Sequence, residues 1–163
     1  MTLTRLLRAA AVALVLVPAT VPAPAFAGPA EARYLESLVG TWRGEGTIRG
    51  EESGNVSCRL TLRGSGERLS FNGRCSFSGG GAAQSFSGTI RYNSERGRWE
   101  SSSQGDTVVG KKSGSTLTFV TSGSDMRGKG TSTMTITPSS IKVQFKLESR
   151  RGSTSGSIPF KKS

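Results

Sequence analysis

Between Asn55 and Phe77 apolar and polar residues alternate, and both cysteines of the chain fall on the apolar side of that alternation. Val56, Cys58, Leu60 and Leu62 are interleaved with Ser57, Arg59, Thr61 and Arg63, and Leu69, Phe71, Cys75 and Phe77 with Ser70, Asn72, Arg74 and Ser76. A period of two belongs to a strand with one buried face. Folding the segment about Gly64-Ser65-Gly66-Glu67 so that Cys58 faces Cys75 also sets Leu62 opposite Phe71 and Val56 opposite Phe77. One register therefore gathers both cysteines and the large apolar residues on one face, and a slip of a single residue would turn them all to water. The hairpin predicts a Cys58–Cys75 disulfide, provided the chain matures in an oxidising compartment.

The same reading continues to the C-terminus. Phe86, Ile90 and Tyr92 share one side of Ser85–Tyr92, and a turn at Ser94-Glu95-Arg96-Gly97 sets Tyr92 opposite Trp99. Further strands are expected around Thr107–Lys111, Leu117–Thr121, Thr131–Thr137, Ile141–Glu148 and Ser155–Phe160, and a turn at Pro138-Ser139 sets Ile136 opposite Ile141 and Met134 opposite Val143. Tyr34, Leu35, Leu38 and Val39 have helical spacing, which predicts a short helix over Glu31–Val39. Strands at hairpin spacing after one short helix predict an all-β fold, a single up-and-down antiparallel β-barrel of about 8–10 strands. The 22 glycines then serve turns and small inward positions. Gly44, Gly46, Gly73, Gly88, Ser101 and Ser103 have the inward parity of Trp42, Tyr92 and Trp99, so the aromatic residues are expected to line a space that they do not fill. Ser101–Gly105 and Ser122–Gly130 are the stretches expected to be mobile.

The N-terminus reads as an export signal. Arg5 and Arg8 precede an unbroken apolar run, Ala9–Val17, and Ala25-Phe26-Ala27 forms a cleavage site before Gly28. The run is too short to cross about 30 Å of hydrocarbon and is followed by Pro18, Pro22 and Pro24, so no transmembrane span is expected after removal of the signal. The expected organisation is a cleaved signal over 1–27, a lead-in with the short helix over 28–40, and the barrel over 41–163, in the periplasm or secreted. Removing the signal takes Arg5 and Arg8 away and lowers the formal net charge from +11 to +9.

Histidine is absent, which excludes histidine-based triads, imidazole acid–base catalysis and histidine metal or haem ligation. Gly105-Asp106-Thr107-Val108-Val109-Gly110-Lys111 resembles a phosphate-binding loop, but Lys112 stands where a magnesium-binding hydroxyl is required and a strand is expected there. Ser139 and Lys142 have the spacing of a Ser–Lys dyad, which works on a helix and fails on a strand. Catalytic residues, metal ligands and cofactors are therefore not expected, and the chain reads as non-enzymatic. Basic residues form the most distinctive surface pattern. With Trp42, Cys58, Cys75 and Ile90 inward, Arg43, Arg49, Arg59, Arg63, Arg74 and Arg91 lie on the outer face of four successive strands, and Arg59 faces Arg74. Opposed like charges favour an anionic partner, such as a polymer of the cell envelope. Nucleic acid is not expected in an exported chain without aromatic residues interleaved on that face.

Leu38-Val39-Gly40-Thr41-Trp42-Arg43-Gly44-Glu45-Gly46, after a short helix, resembles the opening of lipocalin-like (calycin) barrels, in which a G-x-W element closes the barrel floor. The resemblance implies a small apolar ligand in the barrel, Trp42 as a floor residue, and a late basic residue, Arg150 or Arg151, packed on it. Gly40-x-Trp42 followed by Cys58-x-Leu60-x-Leu62 and Cys75 is also similar to small periplasmic barrel inhibitors of secreted metalloproteases. That resemblance implies that Gly28-Pro29-Ala30-Glu31 enters a protease cleft. The leading expectation is an exported binding protein whose lumen is bordered by Trp42, Phe71, Tyr92, Trp99, Phe119 and Phe145 and holds a small apolar or amphipathic molecule. The alternatives place function in the basic outer face or in the N-terminal segment.

Overall fold

A computed structural model of the protein describes residues 28–51, 53–78, 83–125 and 128–163, so the expected signal over 1–27 lies outside the described residues. Helix α1, Pro29–Leu38, begins with proline in its first turn, where a missing N–H costs nothing, and ends as Val39 turns extended. Ten strands follow: β1 Gly40–Gly50, β2 Gly54–Ser65, β3 Arg68–Phe77, β4 Gln84–Asn93, β5 Arg98–Ser103, β6 Asp106–Ser113, β7 Thr116–Asp125, β8 Gly128–Thr137, β9 Ser140–Ser149 and β10 Ser153–Lys162. Each pairs antiparallel with the next, and β10 returns to β1, so the sheet closes as an up-and-down barrel with no free edge.

The registers follow the alternation of the sequence. Cys58 faces Cys75, Leu62 faces Phe71 and Val56 faces Phe77. Tyr92 faces Trp99, Ile136 faces Ile141 and Met134 faces Val143. The disulfide Cys58–Cys75 ties β2 to β3 on the inner face. The stretches expected to be mobile are paired strand over much of their described length: Ser101–Ser103 belongs to β5, Ser122–Asp125 to β7 and 128–130 to β8, because pairing with flanking strands satisfies their backbones whatever the side chains, while 126–127 lie outside the described residues. Inward glycines also do not leave empty space along the wall, because rings from neighbouring strands lie across them. A methyl group at Gly44 would come within 2.7 Å of the Phe160 ring, while Gly73 lies under Phe86 and Gly88 under Phe71.

The two ends of the barrel differ. At the end where β1 begins and β10 finishes, α1 inserts Tyr34, Leu35 and Leu38 over Trp42, Leu62, Leu69, Ile90, Trp99, Leu117, Ile136 and Ile141, all of them buried. Trp42 Nε1 donates to the Leu38 carbonyl (3.0 Å), which stitches the helix to the first strand. Tyr34 Oη donates to the Ile136 carbonyl (2.9 Å), and its ring meets Trp99 edge-on at 5.5 Å. Burial pushes the Tyr34 hydroxyl up to about 12. The helix is thus a plug, and among the described residues no helix is long and apolar enough to cross a membrane.

Candidate functional site

At the other end no helix is packed among the described residues. There the inner faces of β1–β4 and β7–β10 border a cavity of about 400 Å³ lined by Ile48, Val56, Cys75, Phe77, Phe86, Phe145, Leu147 and Ile158, with Gln84, Thr121 and Ser132 as polar members. These residues occupy inward positions from the middle of their strands toward the mouth, and among the described residues no helix covers them. Ile48, Val56, Cys75 and Ile158 are buried, Phe77, Phe86 and Phe145 half-buried, and Leu147 is 50% exposed. A large apolar side chain pointing into a barrel yet open to water marks a binding site far more than an apolar residue scattered on an outer wall. Above the opening, a second and wider recess of about 1200 Å³ is lined by Glu51, Lys129, Glu148, Arg150 and Arg151, among others. The mouth is therefore apolar inside and charged at its rim.

The six aromatic residues expected to border one lumen are divided between the two ends. Phe145 lines the mouth cavity. Trp42, Trp99 and Phe119 are buried in the plugged core, with Tyr92 packed edge-on against Trp99 at 5.2 Å. Phe71 lies between, its ring across Gly88 and 6.4 Å from that of Phe86. Parity established that all six point inward and carried no information on their height along the barrel. Ile48, Phe77, Phe86, Leu147 and Ile158 were available from the same parity, once the helix had been assigned to one end. The basic residue packed on Trp42 is Lys162, not Arg150 or Arg151: its ammonium lies 5.6 Å from the ring centroid and donates to the Ser37 carbonyl. Arg150 and Arg151 sit in the β9–β10 connection at the mouth. Gly28-Pro29-Ala30-Glu31 leads into and opens α1, so from Pro29 onward this segment is helical.

On the outer wall, Arg43, Arg49, Arg59, Arg63, Arg74 and Arg91 are all exposed residues of β1–β4. Arg91 is neutralised locally. Its guanidinium binds Glu100 through Nε and Nη2 at 2.9 and 2.6 Å, while Arg98 Nε and Asn93 Nδ2 reach the other carboxylate oxygen at 2.8 and 3.2 Å. The hydrogen bonds from Arg98 and Arg91 hold the Glu100 carboxyl down at about 2. The Tyr92–Trp99 register already sets Arg91 opposite Glu100, so this pairing was present in the sequence pattern. Among the described residues no group of three or more Cys, Asp or Glu gathers as metal ligands.

No protein-family model matches the sequence, and no curated protein matches it significantly. Solved structures do resemble the fold. Rv2717c from M. tuberculosis superposes with a TM-score of 0.57 at 13% identity, over 83% of this chain and 98% of the other. The S-type phycobiliprotein lyase CPES from Guillardia theta superposes with a TM-score of 0.56 at 12% identity, over 80% and 91%. At such identities the likeness is one of fold, and it fits a lipocalin-like barrel.

Proposed function

We propose that the protein is an exported, non-enzymatic binding protein that holds a small apolar or amphipathic molecule in the mouth of its barrel opposite the helix. The observation that carries this reading is the pairing of the apolar cavity of about 400 Å³ with the half-exposed, inward-facing Leu147. Burying such surface against a ligand is favourable at about 25 cal/mol per Å², while the charged rim suits a polar end group that stays in water. The likeness to a structure described as a phycobiliprotein lyase is compatible with a barrel that receives a small molecule, and nothing about its chemistry is carried over. The disulfide fits export to an oxidising compartment. Mass spectrometry of organic extracts from natively purified protein tests the proposal. A co-purifying hydrophobic molecule in near-stoichiometric amount, absent after denaturing and refolding, is the expected result. If natively purified protein carries nothing and no apolar probe enters the mouth, the reading fails.

A further inference from the structure

The barrel closure places a fourth cation beside three that the sequence had already set on the outer wall. In the paired registers Lys161 faces Arg43, Arg43 faces Arg59 and Arg59 faces Arg74, so one unbroken cross-strand row of cations runs over β10, β1, β2 and β3. All four residues are exposed, and no ion pair among the described residues engages any of them. Adjacent strands lie about 4.8 Å apart, so the row opposes like charges at each of three steps, an unfavourable arrangement in the free protein. Arg91, by contrast, has a carboxylate directly opposite in Glu100.

Two shallow grooves border the row on its mouth side, one of about 620 Å³ over β1–β3 and one of about 610 Å³ over β8–β10 and β1. They meet at Thr47, and their walls include Asn55, Ser57, Ser76, Gln144 and Ser155. A row of cations beside a trough of hydroxyl and amide groups has the chemistry to bind a chain that carries both anionic and hydroxyl groups. We propose that this outer wall binds an acidic polysaccharide, its carboxylates on the Arg74–Arg59–Arg43–Lys161 row and its hydroxyl groups in the adjoining grooves. A flat anionic membrane is disfavoured by curvature, because the row spans four of the ten strands of a closed barrel and a plane touches only part of that arc. A flexible chain follows it. Glu45 is the acidic residue that lines both grooves, and it opposes such a partner. This site is independent of the mouth.

Polygalacturonate, with one carboxylate per sugar, is the probe, with uncharged dextran and phosphatidylglycerol vesicles as comparisons. The triple variant Arg43→Ser, Arg59→Ser, Arg74→Ser should bind polygalacturonate about tenfold more weakly, and binding by the unmodified protein should fall with added salt. Removing equal charge elsewhere, with Arg96→Ser, Lys111→Ser, Lys129→Ser, should change binding little, and Glu45→Gln should strengthen it. All the substituted residues are exposed, and relief of like-charge contacts should leave the row variant at least as heat-stable as the parent. Equal weakening by the two triple variants would reduce the effect to net charge and overturn the proposal. Dextran binding as tight as polygalacturonate binding would overturn it too, and a preference for vesicles would assign the row to a membrane surface instead.

Discussion

Alanine at Gly88 and at Gly123 should change stability in opposite directions. A methyl group at Gly88 would overlap the Ser102 carbonyl oxygen and the ring of Phe71. The oxygen belongs to the strand paired with β4, through the Thr89–Ser102 register, so it cannot retreat without opening the ladder. Forcing a methyl into packed surroundings costs about 1–3 kcal/mol, and the entropy gained by replacing a strand glycine returns roughly 0.5–1 kcal/mol. The net expectation for Gly88→Ala is a loss of about 1–2 kcal/mol. Gly123, near the end of β7, has nothing among the described residues within 4 Å of its missing Cβ and no positive φ, so Gly123→Ala keeps only the favourable part, about 0.5–1 kcal/mol. Urea unfolding followed by tryptophan emission measures both, with the denaturant slope checked for constancy. A neutral or stabilising Gly88→Ala would show free space beneath the glycine and refute the claim that neighbouring rings and backbone fill the wall.

Three further outcomes follow from charge and covalent linkage. Reducing the Cys58–Cys75 disulfide should cost about 3 kcal/mol from its 17-residue separation, less whatever order the β2–β3 hairpin keeps when unfolded, and unfolding with and without reductant reads it. Because the carboxyl of Glu100 is held at about 2 against an ordinary 4.5, its contribution is fully present above pH 4.5 and drains away as pH falls toward about 2; Glu100→Gln should flatten that part of the stability profile. Tyr34 titrates on the alkaline side: its hydroxyl is raised from 10.0 to about 12, so stability present below pH 10 should be lost as pH climbs through that window, and Tyr34→Phe should abolish the slope while losing the hydrogen bond to Ile136.

How much of this was legible in the sequence depended on distance along the chain. Hairpin registers could be read because a turn of a few residues leaves only one alignment that keeps Cys58, Leu62, Phe71 and Cys75 on one face. The closure of β1 on β10 has no turn to fix it, so Lys161 could not be set beside Arg43 in advance. The candidate site was half legible for a related reason. Period two tells whether Trp42 or Phe145 points inward, but not that α1 seals the end holding Trp42 and leaves Phe145 near the opening. The inward glycines misled because absence of a side chain looks like empty space, whereas Phe71, Phe86 and Phe160 reach across from the next strand to occupy it. Serine-rich composition also gave no sign that Ser101–Ser103 pairs on both sides as strand, since the cross-strand bonds are made by the backbone whatever the side chains.

The mouth is tested most directly by titration with N-phenyl-1-naphthylamine, an uncharged fluorescent probe indifferent to the arginine wall. Ser132 and Thr121 face one another across β7 and β8, and both line the cavity, so Ser132→Phe and Thr121→Phe place new rings in the space a ligand would take. The account predicts saturable binding with one site per chain in the unmodified protein. It predicts a loss of about tenfold or more in affinity for either variant, with thermal unfolding preserved. Binding unchanged by both substitutions, or appearing only as the protein unfolds, would contradict the claim that the barrel works through its open end.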